Sequence, residues 1–182
     1  MPHVLIPLAQ GCEELEAVTV ADLCVRAGIK VTTAGLDELP VVASRGITII
    51  PDTQIEKVQD VQFDMIILPG GLPGADHLRD NKILLSMLQR HAATDKYVAA
   101  ICAAPKALAQ AGLLENKTAT SYPGVLDALN LENTQIKNTA VEVDGKIITS
   151  RGPGTAMDFA LTLIELLQGA EKRNEVEAEL AR

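Results

Sequence analysis

The 182-residue sequence has no tryptophan and only two tyrosines and two phenylalanines. Proteins that stack nucleobases or a flavin ring need aromatic faces, and this chain has little to build them from. Basic residues are also in short supply. Sixteen Lys and Arg stand against 24 Asp and Glu, a formal net charge of −8. That balance argues against nucleic acid as a general electrostatic partner. The three cysteines, Cys12, Cys24 and Cys102, are odd in number and show no pairing pattern. They fit a reducing compartment better than a disulfide framework. His3, His77 and His91 lack metal-ligand spacing, so no metal site is expected. The start Met1-Pro2-His3-Val4-Leu5-Ile6 has no basic region before its apolar run, and no apolar stretch is long enough to span a bilayer. The expectation is a soluble cytoplasmic protein with no membrane partner. Neither a Gly-x-Ser-x-Gly elbow nor a phosphate-binding Gly-Lys-Ser/Thr loop is present.

What is present suits a core. Hydrophobic residues make up 47% of the chain, and no repeat or linker divides it, so one domain over residues 1–182 is expected. Strand-like and helix-like runs alternate. Strands are expected at His3–Leu8, Ile29–Ala34, Asp64–Leu68 and Tyr97–Ile101. Helices are expected at Glu13–Ala27, Gly74–Arg90 in two pieces, Ala104–Ala111, and from Pro153 to about Leu167. Gly28 is placed to end the first helix. Val41–Ile50 reads as short strands, Val125–Leu131 as a short helix and Thr139–Ser150 as a hairpin around Asp144-Gly145. Ala170–Arg182 reads as a final polar helix. This order predicts an α/β fold: a mostly parallel sheet with helices on both faces. In such sheets ligands bind beyond the carboxyl ends of the strands. Three turns belong there: Gly11-Cys12-Glu13-Glu14-Leu15-Glu16, Pro69-Gly70-Gly71 and Ile101-Cys102-Ala103.

Cys102 ends an apolar run and precedes a helical one. A thiol on such a turn faces the positive end of a helix, which lowers its pKa from about 8.5 to roughly 3.5–7.5. It is then a nucleophile; the alternative is a buried structural cysteine. Glu16 lies at the same sheet edge, as a general acid or base sharing one proton with the thiol, or as one of three acidic residues favoured at a helix start. Gly70-Gly71 offers half of an oxyanion hole, with the Ala103 N–H as the other half, or an ordinary tight turn. Cys24 is read as packing, and Cys12 as a candidate resolving thiol. Ser150-Arg151-Gly152-Pro153-Gly154-Thr155 only partly imitates a dinucleotide loop, because Met157 fills the third glycine position and Pro153 lacks an N–H.

Four runs, in order, resemble the ThiJ/PfpI superfamily, specifically its DJ-1 branch in the short bacterial-type form. They are Gly11-x-Glu13-Glu14-x-Glu16, Leu68-Pro69-Gly70-Gly71, Ala99-Ala100-Ile101-Cys102-Ala103-Ala104-Pro105 and Ser150-Arg151-Gly152-Pro153-Gly154-Thr155. The resemblance implies a flavodoxin-like three-layer sandwich of the class I glutamine amidotransferase-like kind, a homodimer, and no cofactor. It implies that Cys102 is the reactive cysteine, Glu16 its carboxyl partner, and Gly71 and Ala103 its backbone donors. Tyr122, Gly70 and Pro153 would line the site, Arg45 would approach the partner subunit's site, and Leu15 and Arg26 would lie near the dimer contact. Protease-like members carry histidine directly after the cysteine. Here that position is Ala103, so peptidase activity is not expected. Some DJ-1-branch members have a Thr-His-Pro run, where this chain has Ser121-Tyr122-Pro123. Tyrosine donates a hydrogen bond but is a poor base near neutrality, which leaves Glu16 as the proton carrier.

Three functions follow from these readings. One is cofactor-free detoxification of reactive carbonyls, as a glyoxalase or deglycase acting on methylglyoxal, glyoxal or their adducts. Another is a redox sensor or chaperone in which Cys102 oxidises to a sulfinate without turnover. The third is a small-molecule binding domain with an inert cysteine.

Overall fold

The computed structural model describes residues 1–182. In chain order its strands and helices are β1 (His3–Leu8), α1 (Glu14–Arg26), β2 (Lys30–Gly35), β3 (Val41–Val42), β4 (Thr48–Ile49), β5 (Thr53–Gln54), α2 (Ile55–Val58), β6 (Met65–Leu68), α3 (Gly74–Asp80), α4 (Lys82–Ala93), β7 (Tyr97–Ile101), α5 (Pro105–Gln110), β8 (Thr118–Ala119), β9 (Gln135–Ile136), β10 (Val141–Asp144), β11 (Ile147–Ser150), α6 (Ala156–Gln168) and α7 (Ala170–Glu179). Seven strands form the central sheet in the order β10-β11-β7-β6-β1-β2-β5. All neighbours are parallel except β10 and β11.

The central strands read as unbroken apolar runs because both of their faces are covered. Alternate residues divide between two cores. Val4, Ile6, Leu8, Ile67 and Ile101 pack with α1, α6 and α7 through Val20, Leu23, Phe159, Leu163 and Val176. Leu5, Ile66, Leu68, Val98 and Ala100 pack on the other side with α2 to α5 through Ile55, Leu78, Leu84, Leu88 and Leu108. Each fully buried Leu, Ile or Phe contributes ~2 kcal/mol. A one-residue slip of β1 would exchange its two sets of partners, so the packing fixes the register. The result is the three-layer α/β sandwich expected from the alternation.

Local signals hold in detail. Gly28 terminates α1 with φ +72°, while its N–H and that of Ile29 donate to Val25 O and Cys24 O (both 2.9 Å). The helical run after Gly74 is in two pieces because Asn81 caps α4, its Oδ1 accepting the Leu84 N–H at 2.9 Å. Val41–Ile50 is the antiparallel hairpin of β3 and β4. Other details differ. The β10–β11 turn is Gly145-Lys146, one residue later than expected, with Gly145 at φ +63°. The segment expected as a helix over Val125–Leu131 is only a 3-10 turn at Asp127–Leu129. The two-residue strands β5, β8 and β9 carry no periodic signal of their own.

His91, on α4, is buried, and its Nε2 has no hydrogen-bond partner. Burial, with a smaller contribution from Lys96, pushes its pKa from 6.5 down to about 4. The folded state therefore binds fewer protons than the unfolded one below pH 6.5. Stability is lost as the pH falls from about 6.5 towards 4. We expect His91→Leu to remove a part of that acid loss on the order of 2 kcal/mol, measured as urea midpoints at pH 7 and pH 4.5.

Candidate active site

Strands β1, β6 and β7 are adjacent in the sheet, so the turns that follow them meet at one edge. The turn after β6 lies directly on the turn after β1. The Glu13 N–H donates to Gly70 O at 2.9 Å, and the Gly74 N–H to Gly11 O at 3.4 Å. A Cβ on Gly71 would collide with Glu13 N and stand 2.6 Å from Cys12 C, and Gly71 also has φ +85°. A Cβ on Gly70 would lie 2.7 Å from Cys102 Cβ and 2.9 Å from Glu16 Oε2. Glycine is required here by close approach as well as by conformation.

Glu16 sits in the first turn of α1 and is fully buried. Its Oε2 accepts the Gly70 N–H at 2.7 Å, and its Oε1 has no partner within hydrogen-bonding geometry. Burial pushes its pKa up to about 7, against the opposing effects of the Gly70 N–H and the Cys102 thiol.

Cys102 is the sharp turn that the sequence suggested. It has φ +64°, a left-handed conformation uncommon for a residue with a side chain. Both its backbone groups are committed: its N–H donates to Ser150 O (2.9 Å), and its carbonyl accepts the Tyr122 N–H (2.8 Å). Its titration differs from expectation. Burial first, then the charge of Glu16 and the hydrogen bond with it, push the thiol up to about 12, and the N–H groups of Gly71 and Ala103 only partly oppose this. Helix α5 has six residues and begins three positions later, too short and too far to hold a free thiolate unaided. Beyond burial, the value near 12 includes the cost of a second negative charge beside an ionised Glu16. The two groups therefore titrate as a pair. Below about pH 7 the pair holds two protons, and above it one proton and one negative charge.

The other residues singled out are distributed as follows. Gly71 and Ala103 both donate toward the thiol, but the Gly70 N–H belongs to Glu16 and is not free for an oxyanion. The Tyr122 ring lies on Gly152, and Pro153 opens the adjoining 3-10 turn, fastened by Thr155 Oγ1, which accepts the Gly152 N–H at 3.1 Å. Arg45 is exposed on the β3–β4 turn and forms no ion pair within the chain. Leu15 is exposed on α1, and Arg26 pairs with Asp22 at 2.8 Å. Cys12 is fully buried, and burial and Glu14 push its thiol up to about 11. That is the opposite of what a resolving thiol needs. Cys24 is buried, as expected.

Three residues have a function that spacing did not reveal. Burial opposes ionisation of Glu14, but the N–H groups of Glu14, Arg45 and Ile47, with the Ser44 hydroxyl, hold its carboxyl below the usual range. Ser44 Oγ also donates to Glu13 Oε2 at 2.9 Å. Glu13, Glu14 and Ser44 thus bind the β3–β4 hairpin to the start of α1. Only the turn signal in Ser44-Arg45-Gly46 hinted at it.

A family model for the DJ-1/PfpI family matches residues 2–166. The chain is 43% identical to protein dj-1beta of Drosophila melanogaster over 173 residues, 94% of this chain and 92% of that protein. It is 34% identical to the glutathione-independent glyoxalase DJR-1.2 of Caenorhabditis elegans, over 94% of this chain and 90% of that one. The crystal structure of Drosophila DJ-1beta superposes with a TM-score of 0.95 at 41% identity, covering 99% of this chain and 97% of that one. Against two Arabidopsis thaliana DJ-1 homologues, 44% and 45% identical, the chain spans less than half of their length.

The close approach at Gly71 is testable by comparison with Gly112, which also has positive φ (+75°) but open space where a Cβ would go. Gly112→Ala should cost about 1 kcal/mol, the conformational part alone. Gly71→Ala should cost at least ~3 kcal/mol by chemical denaturation, because backbone must also move.

Proposed function

The chain belongs to the DJ-1/PfpI family, and on that footing we propose that it is a cofactor-free enzyme of reactive carbonyls, a glyoxalase or deglycase, with Cys102 as nucleophile and Glu16 as proton carrier. The observation that carries this reading is the fully buried Glu16 carboxyl beside the thiol, with its Oε1 left unpartnered. A buried carboxylate oxygen without a donor is costly. Protonated, the same oxygen becomes a donor, and the neighbouring sulfur is an acceptor. In the reactive form of the pair a neutral Glu16 would stand beside a thiolate that also receives the Gly71 and Ala103 N–H groups, both of which ease its ionisation.

The chemistry needs no external oxidant. The Cys102 thiolate attacks the aldehyde carbon of methylglyoxal, and the alkoxide takes a proton from Glu16 to give a hemithioacetal. Glu16 carboxylate then removes the hydrogen from that carbon, and a proton is returned to the adjacent carbon. The result is a lactoyl thioester: the aldehyde carbon is oxidised and the ketone carbon reduced within one molecule. Water cleaves the thioester, releasing lactate and the thiol. Gly71 and Ala103 stabilise the oxyanions of addition and hydrolysis. Glyoxal gives glycolate by the same steps, and a glycated amine or thiol would be released from its hemiaminal or hemithioacetal.

A homodimer belongs to this reading. Leu15, Val18 and Val25 on α1, with Ile47 and Ile50 of the neighbouring hairpin, form an exposed apolar face that a second copy would cover. Arg45, without an internal partner, is available to reach across. A second reading, a redox sensor, is favoured by the same donors, because a Cys102 sulfinate would accept from Gly71, Ala103 and protonated Glu16.

Lactate formation from methylglyoxal tests the enzyme. Cys102→Ser should abolish it and Glu16→Gln should lower it at least about 100-fold. Full activity in either variant sinks the mechanism. Selective gain of two oxygens at Cys102 under mild peroxide, without any aldehyde turnover, would favour the sensor. Alkylation of Cys102 should rise with pH through about 7 as the pair loses its first proton. In Glu16→Gln that step disappears and the midpoint should move upward, since burial alone then governs the thiol; an unchanged midpoint would refute the shared proton. Val18→Glu should yield monomers in sedimentation equilibrium where the unaltered chain is dimeric.

A further inference from the structure

Besides Glu16 and Ser150, two further chain segments touch Cys102, and both carry an apolar side chain that the fold leaves in solvent. The first contains Gly71, whose N–H faces the sulfur; the next residue, Leu72, is 59% exposed. The second is joined to Cys102 by the Tyr122 N–H, and the Tyr122 side chain is 51% exposed. The Tyr122 ring is supported rather than free. A Cβ on Gly152 would stand 3.3 Å from its Cδ2 and 3.8 Å from its Cε2, so the ring rests on the bare backbone of Gly152. Exposure of a leucine and an aromatic ring costs solubility and gives the core nothing. Both belong to segments whose backbone bonds to Cys102, which gives that exposure a purpose.

Charge is absent from the same rim. The strips 70–74 (Gly-Gly-Leu-Pro-Gly), 120–125 (Thr-Ser-Tyr-Pro-Gly-Val) and 152–155 (Gly-Pro-Gly-Thr) contain no ionisable side chain other than the tyrosine itself. The bordering Arg151 is turned away, its Nη1 donating to Asn138 Oδ1 at 2.9 Å. These strips offer a substrate two apolar surfaces and backbone amides, and little else.

We propose that Leu72 and Tyr122 form an apolar rim that selects α-oxoaldehydes bearing an uncharged apolar substituent, alkyl or aryl, over the smallest hydrophilic ones. The inference rests on the carbonyl chemistry proposed for Cys102. The aldehyde carbon sits at the sulfur, and its substituent lies outward between the leucine and the ring. Tyr122 contributes as a surface, not as a base.

Steady-state kinetics on the full chain with glyoxal, methylglyoxal and phenylglyoxal test this. We expect kcat/KM to rise in that order, with phenylglyoxal about ten-fold or more above glyoxal, a difference carried mainly by KM. Tyr122→Ala and Leu72→Ala should each lower kcat/KM for phenylglyoxal several-fold more than for glyoxal, while Tyr122→Phe keeps the preference. Thermal melts of each variant separate a lost surface from a lost fold. Turnover of all three aldehydes without such a preference, or a preference untouched by both alanine variants, would overturn the rim and leave the enzyme standing. Absence of turnover with every aldehyde would instead overturn the enzyme reading, and the rim with it.

Discussion

The hydrogen bond from the Gly70 N–H to Glu16 Oε2, 2.7 Å long and wholly buried, joins the two halves of this molecule's chemistry. It spans 54 residues of sequence and ties the first helix to the turn after β6. One oxygen of the carboxyl is thereby fixed, and the other is left buried without a donor. The backbone contact of that turn with Gly11 to Glu13 forces glycine at 71, and glycine at 71 in turn brings a bare amide to the sulfur. The site is assembled from main chain first, with two side chains added.

The same geometry explains the electrostatics. Burial raises both Glu16 and Cys102, so the pair at the sheet edge of a chain with eight excess acids carries at most one negative charge near neutrality. An ionised Glu16 makes Cys102 harder to ionise, while the thiol's hydrogen bond eases ionisation of Glu16, and a single charge on the pair is cheaper than two. Nearby Glu14 behaves oppositely. Surrounded by amide and hydroxyl donors, it stays ionised and serves to anchor the hairpin. Carboxylates two residues apart thus have different fates, set by the donors each meets.

Much of the layered fold was legible in the sequence because the central strands are buried on both faces, and continuous apolar runs such as Val4 to Leu8 announce that burial. The convergence of three turns followed from parallel topology. The strands of two residues were not legible, since their pairing is imposed by neighbours and not by local pattern. Cys102 was located by its turn, but its titration was misjudged. The start of a helix after Pro105 is visible in sequence, whereas the depth of the thiol and the charge beside it arise only on folding. The same holds for Cys12: its position at the sheet edge is legible in the sequence, and its complete burial, which opposes a resolving role, is not.

The backbone of Cys102 is held at both ends, by Ser150 on one side and Tyr122 on the other. With φ fixed in the left-handed region, the residue has little left to adjust except rotation about its own Cα–Cβ bond. In the proposed reaction the adduct would hang from that anchored side chain between a fixed carboxyl and two fixed amides. The former ketone carbon, gaining its hydrogen in such a cradle, would show the same side to its proton source at every turnover. The left-handed turn at one cysteine would thus be transmitted into the handedness of the hydroxy acid it releases.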